Sequence, residues 1–155
     1  MIIISPYARA LRNGETNHPK NYPYWNTLIP MIKELDDTIF QVGSGNEQPL
    51  PGVTDMCLNL SLSNLEKTVE QCKSWISVDS FFQHFCWDLG KRGIALWGQS
   101  DPLIFGHPEN INLLKSRLFL REKQFWQWEQ TTYNPAVFVQ PGEVIVALRK
   151  LLNQA

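Results

Sequence analysis

The chain has 155 residues, 43% of them hydrophobic and 19% charged, with a formal net charge of −1. This is the profile of one compact domain of a size that buries roughly 70% of its unfolded surface. No apolar run approaches the ~20 residues of a membrane span, and MIIIS is too short for the core of a signal peptide, so a soluble, cytoplasmic protein is expected.

Scattered lysines and arginines argue against a broad nucleic-acid surface, though not against a small anion pocket. Cys57, Cys72 and Cys86 show neither C-x-x-C nor Cys/His spacing and are read as reduced core thiols. No disulfide framework, metal site or cofactor is therefore expected.

Apolar runs alternate with helical patterns, which predicts an α/β fold: a single Rossmann-like, doubly wound parallel sheet of about six strands in one domain over 1–155. The strands are expected near 1–5, 38–43, 56–60, 75–79, 93–97 and 117–120. After the first strand, Trp25, Leu28, Ile29, Ile32 and Leu35 form an apolar helical stripe. Pro23 suits a first-turn position, but Pro30 would kink a helix begun that early, whereas a start with Asn26 as cap places Pro30 in the tolerated first turn.

The second helix carries an apparent capping box, Ser63 to Glu66, followed by Val69 and Cys72 on the side of Leu65. A third helix is predicted over 81–89, closed by Gly90 as a left-handed cap. A last one runs from Glu143 to about Asn153, striped by Val144, Ile145 and Leu148. Phe125, Trp126 and Trp128 in the segment 121–136 either cover a hydrophobic edge or form an exposed partner surface.

In an open parallel sheet, ligands bind outside the carboxyl ends of the strands. The polar residues expected there are Ser5 and Arg9, the run 43–47 ending in Glu47, Ser61, Asp79 with Ser80, and 98–101. The helix opening at Phe81 offers unpaired amides and a positive dipole end to an anion, with Ser80 as a hydroxyl donor and His84 one turn in. On the residues alone, Asp79 or Ser80 equally well caps the helix. The long polar segment 7–24 carries Arg9, Arg12, His18 and Lys20, cations suited to a diphosphate.

The order SVDSFFQH, then LG, then IALWGQSDP resembles the C-terminal domain of the family 9 glycosyltransferases, the ADP-heptose:lipopolysaccharide heptosyltransferases and their relatives. The family pattern is Val-Asp-Ser/Thr-Gly, two residues, His, then Leu-Gly, then a strand ending Phe/Tyr-Gly-Pro-Thr-Asp-Pro. The likeness runs from about Ile2 to Pro108 and returns at 141–152. It implies half of a GT-B molecule whose cleft binds a nucleotide or nucleotide-diphosphate sugar.

In that resemblance Lys20 contacts phosphate or sugar, Glu47 binds the ribose, and Leu60 packs on the base. Asp79, Ser80 and His84 match the diphosphate and sugar motif, with Arg9 at the same edge. The sequence departs at Phe81, where the family has glycine, and at Gln99-Ser100, where it has Pro-Thr. The family's N-terminal domain, source of the acceptor site and general base, has no counterpart in these 155 residues.

Two readings follow. One is a nucleotide-sugar-binding domain that completes its cleft by homodimerising or docking on a partner chain. The other is a non-catalytic interaction module whose pocket Phe81 and Phe82 have closed. A catalytic residue is not assigned; if the chain acts alone on a nucleotide substrate, His84 is the candidate base.

Overall fold

The computed structural model describes residues 1–154. Six parallel strands form one sheet: β1 (Ile2–Ser5), β2 (Ile39–Gly43), β3 (Asp55–Leu58), β4 (Ser74–Val78), β5 (Ile94–Trp97) and β6 (Ile111–Leu114). Their order is β3-β2-β1-β4-β5-β6, so the chain reverses direction across the sheet between β1 and β4. That is the doubly wound topology expected from the alternating pattern, with its crevice at the carboxyl ends of β1 and β4.

Alternation along the strands sorts side chains into two cores. Ile2, Ile4, Ile76, Val78, Ile94 and Leu96 face helices α1 (Trp25–Lys33) and α5 (Pro141–Gln154). Ile3, Val42 and Trp75 face the opposite layer, α2 (Leu62–Gln71) and α3 (Phe81–Asp88), where they meet Val69, Phe82 and Cys86. A sheet covered on both faces explains why its central strands read as continuous apolar runs. Among the described residues no helix is long and apolar enough to cross a membrane.

Four local expectations need correction. The last strand is 111–114, not 117–120: Ser116 Oγ accepts from Leu118 N and starts a 3-10 turn over Arg117–Phe119, leaving Leu118 94% exposed. β3 stops at Leu58 because Asn59 takes a positive φ of 53°.

The cap of α2 is Ser61, whose hydroxyl accepts from Asn64 N, so Ser63 lies inside the helix and the proposed capping box does not form. In α1, Tyr24 rather than Asn26 holds the cap position, the helix begins at Trp25, and Pro30 lies within it on the exposed side, where water can satisfy the carbonyl its missing N–H leaves free.

Of the remaining helix ends, that of α3 is made by the glycine expected, and the start of α5 lies earlier than expected. Gly90, at φ 69°, closes α3 in a Schellman motif, with Lys91 N donating to Cys86 O and Gly90 N to Trp87 O. α5 begins two residues before Glu143, with Pro141 at its first position and Glu143 Oε2 accepting from Gln140 N.

Gly93, at the entry to β5, has no room for a side chain, since a Cβ there would collide with the Trp75 indole. Gly93→Ala should therefore lower unfolding free energy by about 2 kcal/mol in urea titration. Gly142→Ala, in open space near the start of α5, should not lower it.

Candidate functional site

The strand ends converge on a cleft of about 820 Å³. Ser5, Tyr7 and Arg9 enter it from β1, Gly43 and Glu47 from β2, Cys57 and Leu60 from β3, and Asp79 to Phe82 from β4. His18 and Lys20 reach in from the long loop between β1 and α1. Cys72 and Cys86 are buried thiols as expected, whereas Cys57 is half-buried and lines this cleft.

The floor of the cleft is Asp79, a buried carboxylate at the end of β4. Lys20 Nζ lies 2.9 Å from its Oδ2 as an ion pair outside hydrogen-bonding geometry, and Gln83 Nε2 donates to Oδ1 at 3.3 Å. The same Gln83 amide nitrogen reaches the Phe105 carbonyl at 3.3 Å, so a fully buried side chain one turn into α3 orients the carboxylate. Gln83 carries no family signal; its polarity at a position whose helical neighbours Phe82 and Cys86 are core residues was the available clue.

Ser80 sits at the cap position of α3 without capping it. Its hydroxyl lies 3.2 Å from Ser77 Oγ, which itself donates to the Val78 carbonyl. The helix end therefore keeps the positive end of its dipole with no side-chain acceptor supplied by the chain. Phe82 turns into the core edge-to-face against Trp75, and Phe81 stands 60% exposed at the rim against Phe85.

Glu47 folds back over Gly43, close enough that a Cβ on Gly43 would collide with its carboxylate. One oxygen accepts from Ser44 N at 3.2 Å; the other is buried with no partner. Burial raises its pKa above the usual carboxylate value, only partly offset by the Ser44 amide. Arg9 is exposed beside it, and among the described residues its guanidinium makes no ion pair.

Not every expected residue joins the cleft. His84 projects beside it and pairs with His107, Nδ1 to Nε2 at 2.8 Å, while His107 stacks on Trp87. Burial, then His107, lowers the His84 pKa. The 98–101 turn is occupied internally: Asp101 caps the short helix α4 (Pro102–Phe105), takes a bidentate contact from Arg117 at 2.9 and 2.7 Å, and donates its backbone N–H to Gln124 Oε1. Ser61 is spent on capping α2.

A contact unseen in the sequence lies on the β5 side. Trp128 lies against His18 at 5.0 Å between ring centroids, with Arg121 at 3.7 Å and Lys20 Nζ at 5.0 Å from its ring. It thus packs the three basic side chains of this corner. His18 Nδ1 accepts from Lys20 N, leaving Nε2 to carry the proton. Burial, and then Lys20, lower its pKa to about 4.

Because the folded pKa of His18 lies below its unfolded value, unfolding takes up a proton as pH falls from about 6.5 to 4. Its contribution is fully present above that window and declines through it. Stability measured from pH 8 to 4 should show this slope, and His18→Asn, which keeps an acceptor for Lys20 N, should flatten it.

The chain is similar to known proteins in sequence pattern and in fold. The family description "Glycosyltransferase family 9 (heptosyltransferase)" matches residues 31–131, more than half of the chain. No curated protein matches. Among solved structures, E. coli ADP-heptose LPS heptosyltransferase II superposes with TM-score 0.71 at 17% identity over 99% of this chain and 46% of that one.

A family 9 glycosyltransferase from Veillonella parvula gives TM-score 0.70 at 16% identity, over 100% of this chain and 46% of that one. The dodecameric iron-containing E. coli heptosyltransferase TibC, solved with ADP-D-beta-D-heptose, gives 0.70 at 14%, over 99% and 45%. The chain spans a little under half the length of these structures. With the family's sequence pattern matched over more than half of its length, the chain belongs to glycosyltransferase family 9.

Proposed function

We propose that the cleft binds a nucleoside-diphosphate sugar, and that this chain supplies the donor-binding half of a glycosyltransferase. The observation that carries the reading is the Glu47 carboxylate oxygen, buried in the cleft with nothing to accept from. A buried acceptor without a donor is costly, and a ribose diol supplies hydroxyl donors at that height. Leu60, Leu62 and Leu65 on the β3 side offer apolar surface to the base. Arg9, Lys20, Ser80 and the free amides of α3 face the position of the phosphates.

In this reading Asp79 acts by holding Lys20, and His84, outside the cleft, contacts only what protrudes from it. Phe81 leaves the helix amides accessible because its ring lies at the rim. Group transfer further needs an acceptor and a base within bonding reach; this cleft arranges the donor, and the remaining wall comes from another domain, a partner chain or a second copy.

A matched panel of ADP, UDP, GDP and their sugars tests the reading by calorimetry and thermal shift. A ligand at 100 times its Kd stabilises by ~2.7 kcal/mol. Lys20→Met should weaken the best ligand by about 10- to 100-fold. Glu47→Ala should weaken a ribonucleotide but not its 2′,3′-dideoxy analogue. Flat responses at millimolar concentration across the panel would refute the reading.

A second reading, an association face, is favoured by the placement of exposed apolar side chains. Leu62, Phe81, Leu103, Leu118, Phe125 and Trp126 all lie on segments that follow the carboxyl ends of strands, and Leu62 and Phe81 line the cleft itself. It predicts self-association in sedimentation velocity that Phe125→Ser with Trp126→Ser abolishes. A monomer at every concentration tested would rule out a homodimer.

A further inference from the structure

Beside the cleft two histidine rings meet nitrogen to nitrogen. His84 lies on α3 and His107 in the turn between α4 and β6, with His84 Nδ1 2.8 Å from His107 Nε2. One nitrogen carries the proton of this bond and the other accepts it. Resting on the nucleotide-sugar reading above, we propose that His107 is a positioning residue for His84. Its Nε2–H donates to His84 Nδ1 and fixes His84 as the Nε2–H tautomer, so that His84 offers a hydrogen-bond donor to the part of the ligand that leaves the cleft.

The direction of the bond follows from the two rings together. If His107 donates, both histidines hold the Nε2–H form, which a neutral histidine side chain favours in water. If His84 donates, both must take the less favoured Nδ1–H form. Among the described residues this is the only hydrogen bond that either side chain makes, so no other partner opposes the preference.

His107 is held for this role from both ends. Its ring stacks on Trp87 at 4.2 Å and 8°, and Trp87 Nε1 donates to Glu109 Oε2 at 3.0 Å. Its carbonyl accepts from Asn110 N and from Asn112 Nδ2. Just before it, Gly106 has no room for a Cβ, which would collide with the Pro102 carbonyl, so the turn is tightly fixed. The two imidazoles stand nearly perpendicular, 84° apart at 4.9 Å.

A histidine fixed in this way is closed as a general base, since Nδ1 already accepts and Nε2 already carries a proton. Burial and then His107 lower its pKa; of the charges near it, Asp79 acts upward and Lys20 downward. The neutral ring is therefore the form that meets a ligand at neutral pH.

Long-range 1H–15N correlation spectra of the imidazoles, recorded on the free chain at about pH 8, read the tautomer, because protonated and unprotonated ring nitrogens resonate far apart. Both histidines should carry their proton on Nε2. His107→Phe keeps a ring on Trp87 but has no N–H; it should give His84 a mixture of tautomers and raise its pKa toward the ordinary value. His107→Gln, whose amide nitrogen stands where Nε2 does, should restore the single tautomer. Affinity for ADP-glucose, UDP-glucose or GDP-mannose, whichever binds best by calorimetry, should fall about 2- to 5-fold in the Phe variant and recover in the Gln variant. A merely structural role would shift the melting temperature and leave tautomer and titration alone.

His84 protonated on Nδ1 in the unaltered chain, or a tautomer and titration that His107→Phe leaves unchanged, would overturn the proposal. Nucleotide sugars that bind the unaltered chain and the Phe variant equally would also overturn it and leave the nucleotide-sugar reading standing. The expected spectra with no nucleotide sugar binding either protein would do the reverse: the His107–His84 bond stands and that reading falls.

Discussion

The site depends on how one buried charge is held. Asp79 ends the central strand β4 almost out of solvent, and a carboxylate there must be paired or protonated. Lys20 and Gln83 hold it, and each brings something from elsewhere: Lys20 the long loop after β1, Gln83 the first turn of α3 and, through the Phe105 carbonyl, the end of α4. Removing one partner of such a pair typically costs about 3–5 kcal/mol, because the other is left buried alone. The loop, the helix end and the cleft floor are therefore one unit. His18, bonded to the Lys20 amide and packed on Trp128, extends that unit toward β5.

Around this unit the cleft is graded from apolar at β3 to cationic at β1 and β4, then aromatic and polar toward β5. The grading follows from topology: each parallel strand delivers its next residues to the same edge, so neighbouring strands set neighbouring chemistry. Phe81 fits this frame without closing it. Where the family places glycine, this chain keeps a helical residue whose ring lies out at the rim, while its neighbour Phe82 does the core packing against Trp75. The side chain narrows the approach to the helix amides and adds apolar surface to the mouth.

The sheet was legible because its central strands are buried on both sides and hence apolar without interruption in Ile2 to Ile4 and Ile94 to Trp97, and broken only by Ser77 in Trp75 to Val78. The edge strand β6 was not: INLL is half-buried, no more apolar than the nearby RLFL, and only the hydroxyl cap of Ser116 and the Arg117–Asp101 pair turn the latter into a 3-10 turn. Capping at Ser61 rather than Ser63 was a choice between two serines that periodicity does not separate. Lys20, Glu47, Leu60, Asp79, Ser80 and Arg9, named from strand ends and family spacing, come together in one cleft. His84 does not, because one turn along α3 its ring finds His107. Gln83 and the place of Trp128 in the cleft escaped notice since they depend on tertiary contacts, Gln83 with the Phe105 carbonyl and Trp128 with His18, which no local pattern encodes.

A structure of the chain crystallised with the nucleoside diphosphate that stabilises it most tests the central claim directly. The account predicts a ribose within hydrogen-bonding distance of Glu47 Oε2, phosphate oxygens on Lys20, Ser80 and the first amides of α3, and a base against Leu60. Density for the nucleotide at any other place, or a cleft filled by the Phe81 ring with the Glu47 oxygen still unpartnered at saturating ligand, would contradict it.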